Sequence, residues 1–189
     1  SHGDDEIFSL EQMVQWFDGT HLSKSPAQWD AAKLLWVNAQ HLKALPDAQL
    51  AERVLPHLQP LLPGFAGDER LAAVCGLFKD RCDTLVALAR WVAAVYGQVQ
   101  PAEPDLAQHL TPAVRPAIAA LAQQLAQCEW SAAAISAAFK QVLAEHGLKM
   151  PQLAMPVRVL VMGTAQTPSL DAVLALHDKK VVVERLQNG

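Results

Sequence analysis

Aromatic side chains are scarce in this sequence of 189 residues, at 6%. Ala, Leu and Val therefore supply most of the apolar mass, a bias towards helix over sheet. No stretch approaches the roughly 18 uninterrupted apolar residues of a membrane span. The first residues, Ser1-His2-Gly3-Asp4-Asp5-Glu6, are too acidic and polar for a secretory signal. Cysteine is sparse and odd in number: Cys75, Cys82 and Cys128, with no C-x-x-C. That set reads as small buried hydrophobes in a reduced, intracellular chain. A basic excess is missing too. The net charge is −4, whereas a general nucleic-acid binder is usually basic.

The common chemical signatures are absent as well. There is no G-x-x-x-x-G-K-[ST], no G-x-G-x-x-G, no G-x-S-x-G and no H-E-x-x-H. The Asp4-Asp5-Glu6 cluster has no phosphate-binding glycine loop beside it and is not read as a Mg²⁺ site. Asp80-Arg81-Cys82-Asp83 reads as a solvated turn, not as an acid flanking a nucleophile. The sequence therefore assigns no catalytic residue and no metal ligand.

What is present is a core. Hydrophobic residues reach 51% and charged ones 18%, which excludes a disordered tail and suits one ordinary domain or two small ones. The charge is uneven. Residues 1–95 hold 8 Lys/Arg and 12 Asp/Glu, whereas residues 131–189 hold 6 basic and 4 acidic. The last third is mildly positive, which by itself describes solvated helix faces.

Helix punctuation recurs throughout. Ser9-Leu10-Glu11-Gln12 reads as a capping box, and either Ser25-Pro26 or Asp30 starts the next helix, which ends at Pro46. Leu34, Leu35, Val37, Leu42 and Leu45 give it an apolar stripe. Further helices are predicted over Asp47–Leu58, from the Asp68 cap to Phe78, and from Thr84 to Tyr96, with a break near Lys79–Asp83. Gln100-Pro101-Ala102-Glu103-Pro104 reads as a linker, because two prolines three apart do not fit a helix interior. Thr111-Pro112 starts a helix towards Cys128. Ser131 caps 132–146, and Gly147 suits a left-handed C-cap. Pro151–Met162 is helical despite Pro156 and ends at Gly163. Thr167-Pro168-Ser169-Leu170 starts a helix to about Leu176, and Asp178 caps Lys179–Gln187. Val181-Val182-Val183 prefers strand by propensity, but it has no partner strand and is read as helix.

Several of these pieces resemble the bacterial glutamate–tRNA ligase family. They are Gly3-Asp4-Asp5-Glu6-Ile7-Phe8-Ser9; Lys24-Ser25-Pro26-Ala27 followed by Trp29-Asp30, Lys33-Leu34, Trp36 and Asn38; Arg81-Cys82-Asp83-Thr84-Leu85; and Leu153-Ala154-Met155-Pro156-Val157-Arg158 with Gly163-Thr164 and Thr167-Pro168-Ser169-Leu170. Trp29 stands where the family usually has Phe. The motifs keep the family's order along nearly the whole chain. The family's ATP signatures, of the His-Ile-Gly-His and Lys-Met-Ser-Lys-Ser types, do not occur here.

The resemblance implies an all-α fold of two packed helical subdomains with a remnant of the stem-contact region at the N-terminus. The implied divisions are 1–45, 46–99 and 100–189. It also implies the carboxy-terminal, anticodon-binding portion of the enzyme, with ATP and Mg²⁺ belonging to the missing catalytic domain and no cofactor in this fragment. The implied partner is tRNA(Glu), with no DNA and no membrane, in a cytoplasmic monomer. Arg81, Arg158, Thr167, Pro168 and Leu170 match positions that the family places at the anticodon. Unpaired bases are read by edge hydrogen bonds and stacking, and Arg offers a planar donor fork for that task. The plain roles of these residues are a helix-end salt bridge and an ordinary N-cap. Lys149, Lys179, Lys180 and Arg185 form the candidate tRNA-backbone patch, with solubilising charge as their plain role. A free-standing helical protein-interaction module is the alternative reading.

Overall fold

A computed structural model describes residues 6–20, 25–26 and 28–189. Gly3, Asp4, Asp5, Lys24 and Ala27 of the quoted motifs lie outside the described residues. Within them the fold is all-α: eleven α-helices and one 3-10 turn, with no strand.

The caps set most helix starts. Helix α1 (Leu10–Trp16) begins with both halves of its capping box made: Gln12 N–H donates to Ser9 Oγ, and Ser9 N–H to Gln12 Oε1. Helix α2 (Ala31–Ala44) starts at Asp30, whose carboxylate accepts Lys33 N–H at 3.0 Å. Of the two candidate starts for this helix, Asp30 is the one used. Helices α3 (Asp47–Leu58), α4 (Leu71–Phe78) and α5 (Leu85–Tyr96) follow, with a 3-10 turn at Lys79–Arg81 between the last two. Thr84 caps α5 through a bond from Ala87 N–H at 3.1 Å.

Three boundaries differ from expectation. Asp68 does not cap α4: its carboxylate accepts Arg70 N–H in a short turn, and the helix opens at Leu71. The 100–104 segment is a linker only as far as Ala102, because α6 (Glu103–His109) takes Pro104 into its first turn. A proline there loses no helical hydrogen bond. Helix α7 (Arg115–Gln127) begins later than Thr111, which instead accepts Val114 N–H in a turn.

The remaining helices match their signals. Helix α8 (Ala132–His146) starts at Ser131 and ends at Gly147, and α9 (Met150–Met162) ends at Gly163. Both glycines are left-handed, at φ 62° and 73°, a conformation costly for a Cβ-bearing residue. The valine run lies in α11 (Lys179–Gln187), behind α10 (Leu170–Ala175), and Val182 is buried against the core.

One continuous apolar cluster runs from Leu42 to Leu186. Helices α3, α4 and α5 pack on one another, while α7 packs on α8 and α11, α8 on α10, and α9 on α6 and α11. Contacts of α5 with α9 join these groups. Cys75 and Cys82 are buried and free, as expected. Burial raises their thiols to about 12 and about 11. The α2 stripe differs from expectation: only Leu42 is buried, while Leu34 and Leu35 face outward. Helix α1 buries nothing, and most exposed large apolar side chains lie between Ile7 and Trp36.

Candidate nucleic-acid interface

Arg81 and Arg158 are 77 positions apart in sequence and reach the same residue. Arg81 ends the 3-10 turn between α4 and α5. That turn is pinned on three sides. Lys79 Nζ donates to Leu45 carbonyl at 3.1 Å and to Asp47 at 2.8 Å, and the Asn38 side-chain amide donates to the Asp83 carbonyl. The Thr84 cap then fixes where the chain re-enters helix. These bonds occupy the residues around Arg81 and leave its guanidinium exposed.

Arg158 lies on α9. The left-handed Gly163 reverses the chain after α9 and returns it as the 164–169 loop alongside that helix. Arg158 Nε–H then donates to Thr167 Oγ1 at 3.0 Å, and Arg81 Nη2–H donates to the Thr167 carbonyl at 3.2 Å. The corner inferred from Arg81, Arg158 and Thr167 is therefore assembled. Among the described residues, neither guanidinium has an ion-pair partner. Burial, and after it the neighbouring Arg81, lowers the proton affinity of Arg158. Two like charges thus lie close together without an ion pair among the described residues, an arrangement that favours an electron-rich ligand.

Beside the corner lies a cleft of about 370 Å³, lined among others by Phe139, Met150, Met155, Arg158, Leu170 and Asp171. Arg158 Nη1 rests 4.0 Å from Met155 Sδ at its edge. Phe139 and Asp171 were not singled out in the sequence, and Met155 stood there only as part of the α9 motif. They face the cleft only because α8, α9 and α10 meet there, and no local spacing signals that meeting.

Thr167 and Leu170 sit deeper than the N-cap reading implied. Thr167 is 7% exposed and Leu170 8%. The cap of α10 is Ser169, which makes no side-chain cap bond, and Pro168 is half-buried and not part of the cleft lining.

The candidate backbone patch divides. Lys149 is exposed at the start of α9, and Lys180 is exposed with Glu184 3.8 Å away. Two members need correction as surface charges. Lys179 donates to the Cys128 carbonyl at 2.8 Å, tying α11 to the end of α7. Arg185 is half-buried and donates to the carbonyls of Ala94, Gly97 and Val161. Those carbonyls lie at the C-terminal ends of α5 and α9, where helices leave acceptors unsatisfied.

Residues 49–189 match the family model described as "Anticodon binding domain". A "Glutamate--tRNA ligase" of Paracidovorax citrulli is 60% identical over 191 aligned positions, covering 100% of this chain. One of Polaromonas naphthalenivorans is 61% identical over 98% of it. The chain spans 40% of the length of each of these curated relatives. A solved glutamate tRNA ligase from Elizabethkingia meningosepticum superposes with a TM-score of 0.85 at 19% identity, over 97% of this chain and 37% of that one. That last likeness is one of fold. With the family model covering most of the sequence and relatives matching it end to end, the chain belongs to the anticodon-binding domain family, in the form carried by bacterial glutamate–tRNA ligases.

Proposed function

We propose that this chain reads the anticodon of tRNA(Glu) on behalf of a glutamate–tRNA ligase and carries out no chemistry itself. The observation that supports this most is the convergence of two guanidiniums without ion-pair partners on Thr167, with Arg158 also lining a cleft walled by Phe139, Met155 and Leu170 and carrying Asp171. Unpaired pyrimidines present edge acceptors that Arg donors can bond and flat faces that apolar walls can cover. In this reading residues 1–45 close the stem-contact region, and 46–99 and 100–189 are two helical subdomains. The remainder of the ligase handles ATP, Mg²⁺ and glutamate, in a cytoplasmic monomer. No helix among the described residues is long and apolar enough to cross a membrane.

The weak overall charge fits recognition of one splayed loop, since a local pair of cations serves where a basic domain is not needed. The test is a titration with tRNA(Glu) and a non-cognate tRNA at low and high salt. Cognate binding is expected to be preferred and to weaken with salt. Arg158→Ala is expected to cost about 1–3 kcal/mol of affinity. Equal binding of both tRNAs, unmoved by Arg81→Ala and Arg158→Ala, would sink the reading. The apolar side chains exposed on α1 and α2 favour a second reading, a protein-interaction module. That reading would gain from such a result.

A further inference from the structure

The 3-10 turn that presents Arg81 is three residues long, and such a short piece has too few internal bonds to fix its own place. Its cap bond runs from Cys82 N–H to the Lys79 carbonyl at 3.2 Å. The flanks do the rest. Two residues before Arg81, Lys79 Nζ donates to the Leu45 carbonyl at 3.1 Å and to the Asp47 carboxylate at 2.8 Å. Two residues after it, the Asp83 carbonyl accepts the Asn38 side-chain amide. Asn38, Leu45 and Asp47 belong to α2 and the start of α3. All three precede residue 49, where the match to the anticodon-binding family model begins.

Helix α4 carries an independent sign of the same arrangement. Gly76 lies inside that helix, where glycine is less favourable than alanine. A Cβ at this position would overlap the Asp47 carboxylate. The missing side chain is the space from which Asp47 reaches Lys79. Arg81 itself is exposed, so a tilt of its turn passes undamped to the guanidinium. A recognition group works only while its support holds it within about 0.5 Å of its productive place.

From this arrangement we infer that Asn38 and the Lys79–Asp47 pair are positioning residues for Arg81, so that anticodon discrimination depends on α2 and the start of α3, ahead of the matched domain. The inference rests on the anticodon reading proposed above. Asn38 and Lys79 act on the RNA through Arg81 and do not touch it.

The test is a set of double-mutant cycles on the full chain, titrated with tRNA(Glu) and with tRNA(Glu) carrying replaced anticodon bases. Asn38→Leu keeps the size and removes the donor, at an exposed residue whose change leaves the fold intact. Gly76→Ala pushes Asp47 away from Lys79 and alters no group on the RNA side. Each is expected to weaken cognate binding about threefold to tenfold, the range of one hydrogen bond, and to shrink the preference for the cognate anticodon. In an Arg81→Ala background each is expected to weaken binding no further. Amide hydrogen exchange supplies a readout without RNA: Cys82 N–H is expected to exchange faster in both variants.

Two outcomes overturn the inference. One is a loss from Asn38→Leu or Gly76→Ala that persists in full without Arg81, which would place the effect outside the turn. The other is unaltered binding in both variants, whatever the Cys82 exchange, which would show that Arg81 finds its place without these bonds. Unaltered binding and anticodon preference in the Arg81→Ala, Arg158→Ala double variant would instead remove the anticodon reading, and this inference with it.

Discussion

Arginines of similar appearance in the sequence do opposite work in this molecule. Arg158 offers its fork to a cleft, whereas Arg185 spends its fork on three backbone carbonyls at the ends of α5 and α9. A planar cation at helix C-termini satisfies orphan acceptors and complements the helix dipoles. Arg185→Ala is therefore expected to lower folding stability by about 2–4 kcal/mol, since several half-buried carbonyls lose their donor at once. Arg185→Lys is expected to recover little, because an ammonium cannot reproduce the fork. Urea denaturation of both variants checks this, and a loss below about 0.5 kcal/mol for alanine would contradict it. His177 is a second case of a polar group with a structural role. It is 1% exposed, its Nδ1 lies 2.8 Å from the Val173 carbonyl, and its Nε2 has no hydrogen-bond partner. Burial pulls its pKa down to about 4, the Val173 bond opposes that, and Arg185 and Arg70 add to the fall.

At the scale of elements, His177 makes the α10–α11 joint sensitive to acid. The joint is held by Trp130 Nε1–H on the His177 carbonyl and by Lys179 on Cys128, with Arg70 reaching Leu176 from the α4 side. A folded pKa below the unfolded value near 6.5 means that the unfolded chain takes up the proton first. Stability from this group is full above about pH 6.5 and declines as the pH falls towards 4, by on the order of 3 kcal/mol. Urea midpoints measured between pH 7 and pH 4 are expected to drop less steeply in His177→Phe than in the unaltered chain. The two left-handed glycines give another element-scale prediction. Gly147→Ala and Gly163→Ala are each expected to cost about 1–2 kcal/mol of stability, since both force a Cβ to positive φ. Only Gly163 turns the chain that delivers Thr167 to Arg158. Only Gly163→Ala is therefore expected to weaken tRNA(Glu) binding, and equal effects of both on affinity would contradict that assignment.

Over the whole molecule, stability is concentrated after residue 41. The apolar cluster begins at Leu42, while α1 buries no side chain. Val14 is 71% exposed and Leu88 is 0% exposed, although both are apolar residues on predicted helices. Val14→Ser is expected to change stability by less than about 0.5 kcal/mol, and Leu88→Ala to cost about 2–5 kcal/mol. Thermal or urea unfolding of the two variants measures the contrast directly. A large loss at Val14 would show that α1 is part of the cooperative unit.

The sequence alone determined the helices, because their signals are local. Ser9, Asp30, Thr84, Ser131 and Asp178 each accept a backbone N–H two or three residues ahead, and Gly147 and Gly163 permit a conformation that other residues resist. The same locality misled at Asp68 and Pro104, where an Asx-type turn and a first-turn proline carry nearly the same signature as a cap and a linker. The candidate site was legible only through the resemblance, which named Arg81, Arg158 and Thr167 without saying which way each faces. That direction was decided by tertiary structure. How much of an arginine's fork stays open depends on the carbonyls brought within about 3 Å of it, and for Arg185 those carbonyls come from helices far away in the chain.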